Sequence, residues 1–164
     1  RDEPDAAEIA DRLALWHQPY HVALEAEIAR VKSIHGFAIL FDCHSIRSHI
    51  PFLFEGKLPD FNIGTNNGLT CHPDIESVAE KACTASPFTS VLNGRFKGGW
   101  TTRHYGQPDQ SVHAIQMEIA QCRYMDEYAP WNYRDELAAE TRAVLALLFN
   151  ELLALTPQLS GGQS

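Results

Sequence analysis

The sequence has 164 residues and a mass of 18.4 kDa, with 45% hydrophobic and 21% charged residues. That is ordinary globular composition for one domain, so disorder over the whole length is excluded, and no apolar run reaches the ~20 residues of a membrane-spanning helix. Lys and Arg number 13 against 21 Asp and Glu, a formal net charge of -8; this excludes nucleic-acid binding by bulk attraction to phosphates, but not a small anion held by well-placed arginines.

From Asp5 to His35 the spacing predicts helix. Ile9, Leu13 and Trp16 recur at helical intervals, then Val22, Leu24, Ile28 and Val31. Pro19 divides or kinks this block, and Gly36 stands where a helix C-terminal glycine belongs. Phe37 to Phe41 is a short apolar run that suits a strand buried on both faces. From Ser45 to Thr70 the chain reads as a long loop, with one short strand near Phe61 to Ile63 and a turn at Asn67-Gly68. Pro73 to Cys83 reads as a helix with Ile75, Val78, Ala79 and Ala82 on one face. Ser90 to Leu92 is a strand, followed by a glycine-rich basic loop from Asn93 to Pro108.

Val112 to Ile119 alternates. His113, Ile115, Met117 and Ile119 point one way; Val112, Ala114, Gln116 and Glu118 point the other. A strand is expected, although helix also fits. Tyr133 to Leu155 is an amphipathic helix built on Leu137, Val144, Leu147, Leu148, Leu152 and Leu153. Residues 1–156 are expected to form one domain, and 157–164 a frayed tail. Helix, buried strand, helix and strand in alternation give an α/β class.

Three spots can carry chemistry. Asp42-Cys43-His44-Ser45 follows the buried run, where α/β sheets gather functional groups; His44 reads as a metal ligand or catalytic residue, or as a structural histidine. Arg47 and the loop residues Asn93, Arg95, Lys97 and Arg103 concentrate positive charge in an acidic protein, which fits a carboxylate- or phosphate-bearing ligand or a solvated surface loop. Glu118 lies amid apolar residues, so it is a general base, a metal ligand or an arginine-paired structural group. His17, His21 and His35 read as surface residues, and Trp131 and Tyr133 as core or cap packing. The P-loop, zincin and nucleophile-elbow patterns are absent. Cys43, Cys71, Cys83 and Cys122 form no CxxC pair and read as reduced thiols of a cytoplasmic protein.

Three stretches together carry a resemblance: DCHSIRSHIPFLFEGKLPDFNIGTNNG, VLNGRFKGGWTTRHYGQP and VHAIQMEIAQCRYMDE. In this order they resemble the N-formylglutamate amidohydrolase (N-formylglutamate deformylase) family, from the first helix to the last. The family is similar to zinc carboxypeptidase-like hydrolases. The resemblance implies a phosphorylase/hydrolase-like mixed central sheet flanked by helices, seen here as its C-terminal portion. It implies zinc-dependent hydrolysis of N-formyl-L-glutamate to L-glutamate and formate, in histidine degradation. It implies that His44 is a zinc ligand and Glu118 the general base that activates water. It implies that Arg47, Asn93, Arg95 and Arg103 serve the substrate carboxylates or the transition state. The partner expected is a small acidic molecule, with no nucleic acid and no membrane.

Family members are longer at the N-terminus. There they carry a PHSG-type motif and an acidic residue that resemble the other two zinc ligands. This chain begins Arg-Asp-Glu-Pro, without Met or a signal or transit pattern, and contains neither. Three protein ligands are the norm for catalytic zinc, so the remaining ligands are expected in a part of the protein outside this sequence. The alternatives are a related acyl-amino-acid amidohydrolase and a non-catalytic binding module with an incomplete metal site.

Overall fold

The computed structural model describes residues 3–155 and 159. Its first 30 helical residues run without a break through α1 (Ala6–Arg12), a π-turn (Leu13–His17) and α2 (Gln18–His35). Asp5 starts the helix: its carboxylate accepts the Glu8 N–H at 2.8 Å. Pro19 neither breaks nor sharply divides it. Proline has no N–H and its ring crowds the carbonyl four residues back, so the ladder widens just before it. The Gln18 N–H reaches the Leu13 carbonyl, a five-residue step. Gly36, at φ 82°, ends the helix with its N–H on the Lys32 carbonyl.

Four strands form one mixed sheet in the order β1-β4-β2-β3. They are β1 (Ala38–Ile46), β2 (Phe61–Gly64), β3 (Ser90–Leu92) and β4 (Val112–Ala120). β1 runs parallel to β4, β2 antiparallel to β4, and β3 parallel to β2. The mixed sheet flanked by helices matches the expected class. The expectation of a strand buried on both faces at Phe37 to Phe41 fails. β1 is longer, lies at the sheet edge among the described residues, and is only partly covered. The strands buried on both faces are β4 and the shorter β2, which sit inside the sheet and are paired on both sides.

The sequence alternation of β4 sorts the two faces. Ile115 and Met117, with Phe61 and Ile63 of β2, join the core made by α3 (Pro73–Thr84) and α5 (Asp135–Ala154). From α3 come Ile75, Ala79, Ala82 and Cys83; from α5, Val144, Leu148 and Leu152. Ala138 and Thr141 continue the buried stripe of α5, whereas Leu147 and Leu153, expected in it, lie 47% and 67% exposed. The stripe follows steps of three and four residues, and those two leucines fall off it. The short helix α4 (Trp100–Tyr105) and α2 lie on the opposite, more polar side. On the long helix, Leu24, Ile28 and Val31 are half-buried, but Ile9, Leu13, Trp16 and Val22 are exposed.

Trp131 and Tyr133 are exposed, not core residues. His21 is not simply a surface residue: its Nδ1 lies 2.5 Å from the Tyr105 hydroxyl and joins α2 to α4. The tail expectation concerns 157–164, which lie outside the described residues apart from Leu159. Leu159 packs against the core.

Candidate functional site

The register of the sheet brings the chemistry-bearing residues together. His44 on β1 is directly opposite Glu118 on β4, and Glu118 is directly opposite Asn62 on β2. One rung away, Asp42, Gln116 and Gly64 form the next row. Paired residues in a sheet project to the same face, so these two rungs form one polar patch on the α4 side. The Asp-Cys-His-Ser segment was expected just beyond a strand. It lies within β1 instead, because pairing with β4 carries the strand on to Ile46.

Glu118 is buried, 6% exposed. Burial pushes its carboxyl pKa above the usual 4.5; the facing His44 draws it down, and Asp42 adds to the rise. The Gln116 amide lies 3.5 Å from its Oε2. The neighbouring Asn62 donates to the backbone carbonyls of Pro59 and Glu118, while its own Oδ1 is buried with no partner among the described residues. His44 is exposed on its other side. Its Nε2 lies 2.9 Å from Asp42 Oδ1. A carboxylate only accepts, so Nε2 carries the hydrogen between them, and a neutral ring in this tautomer has its lone pair on Nδ1.

The glycine-rich loop crosses this patch because Gly64 lacks a side chain. A Cβ there would come within 2.5 Å of the Gly98 backbone nitrogen. The Gly99 N–H then donates to Gln116 Oε1 at 2.6 Å, where α4 begins. Arg103 lies on α4, Arg95 in the loop with its guanidinium 5.6 Å from the Phe54 ring, and Arg47 just past β1. All three are exposed, and none has an ion-pair partner among the described residues. Arg103 Nε donates to the Gly99 carbonyl at 3.3 Å, and guanidinium N–H groups without an ion-pair partner suit a carboxylate ligand.

Asn93 has a different place. Its Oδ1 accepts the N–H groups of Thr65 and Asn67, and its Nδ2 donates to Thr65 and Glu76. Its amide is spent on holding the 65–68 turn against α3 and the loop. A substrate contact would have to displace one of those bonds.

Sequence reasoning passed over Gln116, Asn62 and Thr102. Gln116 carried a signal, since a second polar residue on an otherwise apolar strand face needs a partner. Thr102 carried none; its hydroxyl partner lies on another element, Asp42 at 3.1 Å.

Zinc needs three protein ligands at a catalytic site. His44 Nδ1 suits one of them. Among the described residues no group of three His, Cys, Asp or Glu could hold a metal. These residues therefore do not complete a zinc site by themselves.

Fold and site define an α/β protein whose mixed sheet presents an imidazole and a buried carboxylate on one face. The family model for N-formylglutamate amidohydrolase matches residues 1–125, and the chain belongs to that family. It is 55% identical over 152 residues to an N-formylglutamate deformylase of Pseudomonas aeruginosa, covering 92% of this chain and 57% of that one. To a protein of the same name from Pseudomonas putida it is 51% identical over 141 residues, covering 85% and 52%. The chain thus spans about half the length of the curated relatives it matches. The crystal structure of an N-formylglutamate amidohydrolase from Ralstonia eutropha JMP134 shares the fold. The TM-score is 0.78 at 23% identity, over 95% of this chain and 57% of that one.

Proposed function

We propose that the protein to which this chain belongs hydrolyses N-formyl-L-glutamate to L-glutamate and formate, with zinc, in the cytoplasm. The observation that carries the reading is the single rung holding His44 beside buried Glu118. The relatives named N-formylglutamate deformylase support the choice of substrate.

The substrate is a dicarboxylate. Arg47, Arg95 and Arg103 would hold its carboxylates, each through two parallel N–H donors. Glu118 would take a proton from the attacking water and return it to the leaving amine. Its burial favours this role, because a carboxylate with a raised pKa is the stronger base. His44 would offer Nδ1 to zinc, with Asp42 holding the ring. Zinc, when bound, lowers the pKa of water and polarises the formyl carbonyl. The remaining ligands would come from outside the described residues.

The test is formate release from N-formyl-L-glutamate by the full-length gene product, before and after chelation and return of zinc. Release that stops with chelator and recovers with zinc is expected. Comparable rates on acetyl- and succinyl-glutamate would replace the formyl specificity with a broader acyl-amino-acid hydrolase. No turnover and no bound zinc would leave a binding module that keeps the arginine site.

A further inference from the structure

α4 has six residues and cannot hold itself in place; a helix this short exists only where its surroundings fix it. Three ties do so. The Gly99 N–H donates to Gln116, Tyr105 meets His21, and the Thr102 hydroxyl donates to Asp42 Oδ2 at 3.1 Å. The third differs from the other two. Asp42 holds His44 Nε2 with its other oxygen, at 2.9 Å. One carboxylate thus links the imidazole on β1 to the helix that carries Arg103.

We propose that Thr102 is a positioning residue, whose hydroxyl fixes the Asp42 carboxylate and through it both the His44 ring and the seat of the arginine-bearing helix. The inference rests on the reading of His44 and Arg103 as site residues. An aspartate side chain rotates broadly about its last bond, so a single hydrogen bond does not fix its plane. A second bond on the opposite oxygen does. Thr102 is suited to supply it: it is wholly buried, and its branched side chain is stiff about the first torsion. Its methyl also faces Gly98, where an added Cβ would come within 3.2 Å of Thr102 Cγ2. A threonine in a helix commonly returns its hydroxyl to a carbonyl one turn back. Thr141 does this, reaching the Leu137 carbonyl at 3.2 Å and the Arg123 carbonyl at 2.9 Å. Thr102 reaches across to a carboxylate of the site instead.

Three variants of the full-length gene product separate positioning from general stability. Thr102→Val removes the hydroxyl and keeps the shape. Thr102→Ser keeps the hydroxyl. Thr141→Val removes an equally buried hydroxyl far from the patch. In metal-free protein with 15N-labelled histidine, His44 should carry its proton on Nε2 in the wild type, Thr102→Ser and Thr141→Val. In Thr102→Val it should divide between the two tautomers. In the active enzyme, Thr102→Val should lower kcat/KM by roughly 10–100-fold, the usual cost of losing a partner that orients a ligand, with Thr102→Ser near wild type. A single Nε2–H form together with wild-type kcat/KM in Thr102→Val overturns the inference. So do equal losses in Thr102→Val and Thr141→Val. If the wild type releases no formate, the functional reading falls, and the ring signal of His44 still decides the role of Thr102.

Discussion

At the scale of residues, the environment of Glu118 decides what it can do. A general base works only when deprotonated. Burial raises the Glu118 pKa, so the working form is lost at a higher pH than for an ordinary glutamate as pH falls. The acid limb of kcat/KM is therefore expected above 4.5. Glu118→Gln keeps the shape but cannot accept a proton, and should lower kcat by about 10²–10⁴-fold. A pH–rate profile of both proteins checks this. Near-normal turnover of Glu118→Gln would remove the carboxylate from the reaction. Asn93 teaches the converse. Its residue type and its place beside Arg95 fit a substrate group, yet its hydrogen bonds go to the 65–68 turn. Residue type marks a capability, and unspent donors and acceptors mark its use.

At the scale of elements, α3 and α5 form the firm side of the molecule and the loop with α4 the dependent one. Leu148 of α5 is fully buried in the core with Ile75 and Met117. Leu148→Ala removes apolar contact and leaves a cavity, at a cost of about 2–5 kcal/mol in urea unfolding. A loss under about 1 kcal/mol would mean that the α3–α5 seam collapses to fill the gap. On the other side the sheet is thinner in side chains by design of its sequence. Gly64 leaves the space through which the loop passes, and the loop then seats α4 on Gln116. Stability and site geometry thus rest on opposite faces of the same strand β4, which is why its alternation matters for both.

At the scale of the whole molecule, burial divides the four thiols. Cys43 is exposed and Cys122 half-buried. Cys71 and Cys83 are buried, and burial pushes their thiols up to about 12 and about 11. The thiolate is the nucleophile, so buried thiols with raised pKa values are inert. Alkylation followed by mass spectrometry should label Cys43 in the native protein, and Cys71 and Cys83 only with global unfolding. Labelling of Cys83 at the rate of Cys43 would show that the α3 side opens locally. Among the described residues no helix is long and apolar enough to cross a membrane. The long first helix nevertheless leaves Trp16 74% exposed, with Ile9, Leu13 and Val22 also open.

The sequence by itself determined most elements and the two faces of β4. These are local and periodic properties: a helical block runs from Asp5, Gly36 stops it, and Gln116 and Glu118 alternate with Ile115 and Met117. It also identified the family, because three long motifs in order leave little room for chance, and residues 1–125 match that family's model. The tertiary structure alone decided that the FAILF run forms part of a strand at the sheet edge among the described residues, that Pro19 yields a π-turn within a continuous helix, and that His44 falls opposite Glu118. It alone joined Asp42 to Thr102 and His21 to Tyr105. The physical reason is range. Periodicity and capping are satisfied by neighbours in the chain, whereas strand order, register and the partner of a buried hydroxyl depend on segments far apart in sequence that meet only when the core closes.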